Sequence, residues 1–365
     1  MTPAAILAIA LLSSALSDPP EAPANGAALH DQALRRAQVW TEPATPIDEA
    51  RFGENPRGRD SFAIDQVVEC AFKPGGVSGS TPKFECELPG GERVKVKYGA
   101  SNPEVYTEVA ASRLLSALGF PTDRMYVVGR VRCFGCSSDP FEGLQCVNEG
   151  TPIAICFPGL DYARAEEFTP AVIERPIEGR RIEAGKERGW KWEELVKIDP
   201  AAGGATRDQV DALRLLAVLL GHWDNKAGNQ RLLCLGEKSA SAKCDRPLAM
   251  VQDLGSTFGP DKLDLTKWAA TPIWMDAATC SVSMKALPYG GSTFPDIRIT
   301  EGGRQFLAGR LGKLSTAQIR ELFEGARISS YPHKTAEARD VGQWVRAFED
   351  KVRAIVDRAP CPDAS

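Results

Sequence analysis

The sequence predicts an α+β chain of two lobes, a smaller strand-rich part followed by a larger helical part, stapled by disulfides. Three observations carry that prediction. Apolar and polar residues alternate in short runs from about residue 61 to 175, as half-buried strands require. Long apolar stretches at helical spacing dominate from residue 176 onward. Ten cysteines, an even set, follow an N-terminal stretch that resembles an export signal. The chain has 365 residues, 43% of them hydrophobic and 25% charged, enough for a sizeable core and too apolar for wholesale disorder. A net charge of −4 provides no global basic field for nucleic acid or an anionic membrane. Three histidines, His30, His222 and His333, exclude a histidine-rich metal centre.

Residues 4 to 16, AAILAIALLSSAL, are apolar or small and uncharged. The run falls short of the roughly 20 residues that span a bilayer, and it ends in Ala15-Leu16-Ser17, small residues of the kind a signal peptidase reads. Residues 1–17 are therefore expected to be a cleaved signal peptide, which places the mature protein in a secreted, periplasmic or luminal compartment. Disulfides are then the default for Cys70, Cys86, Cys133, Cys136, Cys146, Cys156, Cys234, Cys244, Cys280 and Cys361. Cys234–Cys244 and Cys146–Cys156 would each close a short, turn-rich loop. The competing expectation is zinc on Cys133, Cys136, Cys146 and Cys156, because Cys133-Phe-Gly-Cys136 has ligand spacing.

Residues 18–60, rich in Ala, Pro and charge, are expected to be an N-terminal arm. The strand-rich lobe, 61–175, opens with FAIDQVVECAF and KFECELPGGERVKVKYG, the latter a hairpin around Pro-Gly-Gly. A helix is predicted from about Pro103 to Leu118, stopped by Gly119. MYVVGRVRC reads as one strand, a cysteine-containing insert fills about 133 to 160, and PAVIERPI returns as a strand. In the helical lobe, 176–360, RDQVDALRLLAVLLGHW is a helix buried on most sides. RQFLAGRLGKL, STAQIRELFEGARI and VGQWVRAFEDKVRAIVDR follow, with Ser315 as the N-cap of the middle one.

The most informative string is Gly221-His-Trp-Asp-Asn-Lys-Ala-Gly-Asn229, directly after the apolar helix. An Asp with an Asn five positions later suits phosphoryl transfer. Asp224 can orient a hydroxyl and accept its proton, and Asn229 can offer an amide oxygen to a divalent cation. Lys226 can neutralise charge on the transferring group. The strand PLAMVQ then leads into Asp253-Leu-Gly, where Asp253 can hold a metal. Between two strands, Val77-Ser78-Gly79-Ser80-Thr81-Pro82-Lys83 can cradle phosphates with backbone N–H groups and hydroxyls. Lys95 and Lys97 share one strand face, and Glu104 and Glu108 lie one turn apart on the next helix. Which of each forms a cleft ion pair stays open at this stage.

Together these strings resemble HipA-like kinases. VSGSTPK is similar to their phosphate loop, YTEVAASRLLSALGF to their first helix, VIERPI to their hinge strand, and GHWDNKAGN to their catalytic loop. The same protein-kinase-like fold unites that family with the phosphatidylinositol kinases and the secreted Fam20-type branch. The likeness covers about residues 70 to 260 and departs from the family at His222, at Lys226 and in the long stretch from Asn229 to Asp253. It implies ATP with Mg²⁺ or Mn²⁺ as cofactors, bound by Ser78, Gly79, Ser80 and Thr81, with Lys97 on the α/β-phosphates and Glu108 as its partner. Ile173, Glu174 and Arg175 would pass the adenine. Asp224 would be the catalytic base, and Asn229 and Asp253 the metal ligands. The expected function is that of an exported kinase acting on a hydroxyl, a protein Ser/Thr or a small molecule, without nucleic-acid partner or membrane span. The alternatives are a secreted pseudokinase or binding module that uses the same cleft for recognition, and related chemistry such as nucleotidyl transfer.

Overall fold

The computed structural model describes residues 26–58, 60–185, 187–236, 244, 246–260, 262–285 and 292–362. The expected signal peptide lies outside the described residues. Of the segment expected to be an arm, residues 26–58 and 60 are described, and they are built into the fold. Helix α1 (Gly26–Arg35) buries His30, Ala33 and Leu34, and His30 Nε2 donates to the Gly189 carbonyl at 2.9 Å. Ala37, Val39 and Phe52 continue into the main core.

Seven strands form one sheet in the order β4-β7-β3-β2-β1-β5-β6. They are β1 (Val67–Lys73), β2 (Lys83–Glu87), β3 (Arg93–Tyr98), β4 (Arg124–Val128), β5 (Arg130–Phe134), β6 (Ala165–Phe168) and β7 (Ala171–Arg175), with α2 (Glu104–Ala117) between β3 and β4. β2 and β3 pair antiparallel around the Pro-Gly-Gly turn, as expected. MYVVGRVRC departs from expectation, because it divides at Gly129 into β4 and β5. These halves sit toward opposite ends of the strand order, so the sheet must coil strongly on itself. Only glycine fits that corner: a Cβ on Gly129 would lie 2.4 Å from the Asp65 carbonyl oxygen. The insert contributes α3 (Pro140–Asn148), capped by Asp139, and the short α4 (Ile153–Cys156).

In the helical lobe, β8 (Arg180–Arg181), β9 (Gln230–Cys234) and β10 (Pro247–Val251) make a small sheet. α5 (Arg207–Leu220) starts at a reciprocal Thr206–Gln209 capping box and ends at Gly221 with φ +65°. Around it lie α6 (Leu265–Ala270), the ribbon β11 (Ser281–Val282) and β12 (Ile297–Arg298), α7 (Glu301–Leu311), α8 (Thr316–Gly325), α9 (Ala336–Arg339) and α10 (Val341–Val356). Ser315 caps α8 as expected, with Gln318 reciprocating. One apolar core lies on the strand side, around Phe72, Phe84, Val96 and Ile173. The larger core joins α5, α7, α8 and α10 to Val105, Tyr106 and Val109 of α2, so α2 belongs to both halves.

All ten cysteines are paired: Cys70–Cys86, Cys133–Cys136, Cys146–Cys156, Cys234–Cys244 and Cys280–Cys361. Both short-loop pairings expected from sequence are present. The zinc alternative is set aside, since its four ligands are consumed in two disulfides. Among the described residues, no helix is long and apolar enough to cross a membrane.

Candidate active site

Strand alternation builds the centre of the site. On β3, Val94 and Val96 turn into the strand-side core, which sends Lys95 and Lys97 to the opposite face. Lys97 is 1% exposed and lies among four carboxylates: Glu104 at 3.0 Å, Asp253 at 3.4 Å, Glu174 at 3.8 Å, and Glu108 in direct contact. Lys95 pairs with Glu174 at 2.7 Å. The alternatives left open by the sequence thus resolve into Lys97 at the centre with both helix glutamates on it. Burial opposes charge on Lys97, yet Glu104 and Glu108 outweigh it and raise its pKa well above the ordinary lysine range. The same burial raises the Glu108 carboxyl to about 8 despite Lys97. Glu104 is desolvated too, but Lys97, Lys83 and Lys262 hold it well below the usual carboxylate range.

Of those lysines, Lys83 entered the sequence reading only as the last residue of the phosphate-cradling string, and Lys262 escaped it. Lys83 is the register partner of Lys97 across β2–β3 and lies 3.9 Å from Glu104. Its signal was available: alternation against Phe84 and Cys86 puts Lys83 on the face that carries Lys95 and Lys97. Lys262, 2.6 Å from Glu104, arrives from a loop with left-handed backbone, where no periodicity points to it.

The phosphate-loop candidates lie above this cluster. Gly79 has φ +89°, a backbone conformation that favours glycine, and it packs directly against Lys83 Nζ. Ser78, Gly79 and Ser80 are exposed, whereas Thr81 is buried with its Oγ1 unpartnered among the described residues. The insert tethers this loop: Gln145 donates to the Gly79 carbonyl at 3.2 Å, and Asn148 donates to that of Val77.

The loop after α5 carries the second set of polar residues. Lys226 donates to both Asp224 carboxylate oxygens, at 3.0 and 3.1 Å, and the Asn229 amide donates to the Asp224 carbonyl at 2.6 Å. Lys226, expected to neutralise charge on the transferring group, holds Asp224 in this structure. Asn225, also missed, is fully buried and bonds the carbonyl of His222 and the N–H of Thr293. His222 is buried with both ring nitrogens unpartnered among the described residues. Burial depresses its pKa to about 4, against the opposing pull of Asp224 and Asp253.

β9 and β10 bring the two polar loops together. Gln252 N–H donates to the Asn229 carbonyl at 3.1 Å, and Trp223 N–H to that of Ser256 at 3.3 Å. Asp253 adopts φ +52°, and its side chain keeps 35% of its exposure while still reaching Lys97. Burial raises its carboxyl, but Lys97 prevails and the net shift is downward. Gly255 is required by α2: a Cβ there would lie 2.4 Å from Glu104 Cγ, and the Gly255 carbonyl accepts from Thr107 at 2.8 Å.

The three expected adenine-side residues divide by alternation along β7. Glu174 faces the lysines, while Ile173 enters the strand-side core. Arg175 turns the same way as Ile173, stacking 4.4 Å over Phe62 and pairing with Glu92 at 2.8 Å. Side chains of Ile173 and Arg175 therefore do not face the lysine cluster, and at these positions only the backbone is left to meet a ligand. The hard oxygen donors of Asp253 and Asn229 match Mg²⁺ or Mn²⁺ in chemistry. Gly79, Lys83 and the orphaned Thr81 hydroxyl match a polyphosphate.

No protein-family model and no curated protein matches the chain. Among solved structures, a Helicobacter pylori proinflammatory kinase, CtkA, aligns over 80% of this chain and 95% of its own, at 12% identity and a TM-score of 0.41. A likeness of that size carries no argument about the site.

Proposed function

We propose that this chain is an exported phosphotransferase of protein-kinase-like architecture that uses ATP with Mg²⁺ or Mn²⁺ to phosphorylate a hydroxyl, on Ser or Thr of a protein. One observation carries the reading. A fully buried lysine on a sheet strand is fixed by glutamates of the following helix and meets the aspartate of an Asp-Leu-Gly turn. A buried ammonium aimed at a partly open carboxylate suits an anionic ligand that carries its own cation. Lys97 and Lys83 would hold the phosphates under the loop at Ser78–Thr81. Asn229 and Asp253 would hold the metal, which when bound supplies charge neutralisation. Asp224, oriented by Lys226 and by the Asn229 bond to its carbonyl, would accept the proton of the acceptor hydroxyl. The complete pairing of ten cysteines supports an oxidising compartment, consistent with export.

A binding module without catalysis is the second reading, favoured by the direct Lys97–Asp253 contact, which gives the proposed metal ligand a cation of its own. Thermal unfolding with and without ATP and Mg²⁺ or Mn²⁺, paired with radiolabel transfer to protein acceptors, decides between them. A ligand at about 100 times its Kd adds about 2.7 kcal/mol, an easily measured shift. Stabilisation with transfer supports the enzyme, stabilisation without transfer supports the module, and neither removes both.

A further inference from the structure

A cavity of about 400 Å³ lies behind α2, away from the cluster just described, between the residues before β1 and the α2–β4 connection. Its wall includes Arg113, which is 7% exposed. This guanidinium donates only to neutral oxygens, the Phe52 carbonyl and Asn55 Oδ1 at 2.9 Å, and its Nε has no partner among the described residues. Burial, aided by Arg327, holds it below the ordinary arginine range, at about 10, so it stays charged at neutral pH. Arg51 and Arg124, both exposed, also line the cavity and have no ion pair among the described residues. Three carboxylates share the wall. Glu54 is taken by Arg57 at 2.8 Å and Asp123 by Arg231 at 3.0 Å, which leaves Glu49 alone against three guanidinium groups. Phe52, Pro56 and Met125 supply an apolar bed.

A buried cation without a counter-ion is unfavourable unless a ligand completes it, and the planar guanidinium fork matches carboxylate or phosphate oxygens. We infer that this cavity is a binding site for a small organic anion, a carboxylate or phosphate on an apolar body, separate from the proposed nucleotide site. Arg113 would take the anionic group at the base, Arg51 and Arg124 would flank it, and the apolar body would lie on Phe52 and Met125. Because α2 forms one wall and carries Glu104 and Glu108 as well, an occupant touches the helix that fixes Lys97.

Calorimetric titration of the full chain with phenyl phosphate, in the presence of saturating ATP, tests the site, with benzyl alcohol as the uncharged comparator. Saturable phenyl phosphate binding is expected. Affinity should fall by about tenfold or more in the exposed double variant Arg51→Glu/Arg124→Glu, as loss of charge-assisted contacts implies, and benzyl alcohol should bind at least as poorly. Arg113→Lys, which keeps the charge but loses the fork, should weaken binding while leaving the unfolding transition cooperative. Equal affinity in wild type and the double variant, equal binding of benzyl alcohol, or no saturable heat at all would overturn the assignment.

Discussion

Lys97 is the residue on which the site turns, and its environment sets what substitution does. Removing the ammonium leaves Glu104, Glu174 and Asp253 facing one another in a buried space, so Lys97→Met should destabilise the fold by about 3–5 kcal/mol. Lys95→Met, at a partly open pair, should cost clearly less. Denaturant titration of the two variants checks the order, and equal losses would show that the cluster does not depend on Lys97. Asp224 and Asp253 separate base from ligand. Asp224→Asn keeps the volume, so ATP- and metal-dependent stabilisation should survive while transfer falls by roughly 10²–10⁴-fold, the usual range for a lost general base. Asp253→Ala should abolish both. If Asp224→Asn matches wild type in single-turnover transfer, the base assignment fails.

Two junctions between elements make separate predictions. The β4–β5 corner at Gly129 is closed by backbone, so Gly129→Ala forces a methyl to 2.4 Å from the Asp65 carbonyl oxygen. An overpacking loss of about 1–3 kcal/mol is expected, and an unchanged melting temperature would count against the coiled sheet. At the start of α7, Glu301 bonds Arg304 at 2.5 Å and accepts from the Cys361 N–H at 2.7 Å, tying the helix to the C-terminal tail. The Arg304 hydrogen bond lowers its pKa to about 2. A folded-state pKa below the unfolded value means stability present above about pH 4.5, lost as pH falls toward 2. Wild type should therefore lose stability across that window relative to Glu301→Gln. Parallel pH profiles of the two proteins would remove Glu301 from the account.

Over the whole molecule, disulfide separation sets how much each bridge constrains the unfolded chain. Cys280–Cys361 closes 81 positions and Cys146–Cys156 only 10. Chain entropy then assigns about 4.5 kcal/mol to the first and about 2.7 kcal/mol to the second. Paired Cys→Ala variants should unfold in that order in urea, and the reverse order would place the stabilisation elsewhere. Non-reducing peptide mapping should recover five bridges and no free thiol. Much of this architecture was legible beforehand, because burial leaves its mark locally. Alternation marked β2 and β3, helical spacing and capping residues marked α2, α5 and α8, and two short-loop cysteine pairs were suggested by their spacing, beside a zinc alternative on two of the same cysteines. Alternation also carried Lys97 to the right face, and the catalytic-loop and Asp-Leu-Gly strings were visible as strings. Only the tertiary structure could join them. The split of one apparent strand at Gly129 depends on the approach of Asp65, a contact with no local periodicity. Choosing among two lysines and two glutamates required knowing how α2 lies against β3, and the answer was both glutamates on one lysine. Lys262 and the uncompensated Arg113 are likewise invisible in sequence, since the charge of a side chain is written there but its desolvation and its partners are not.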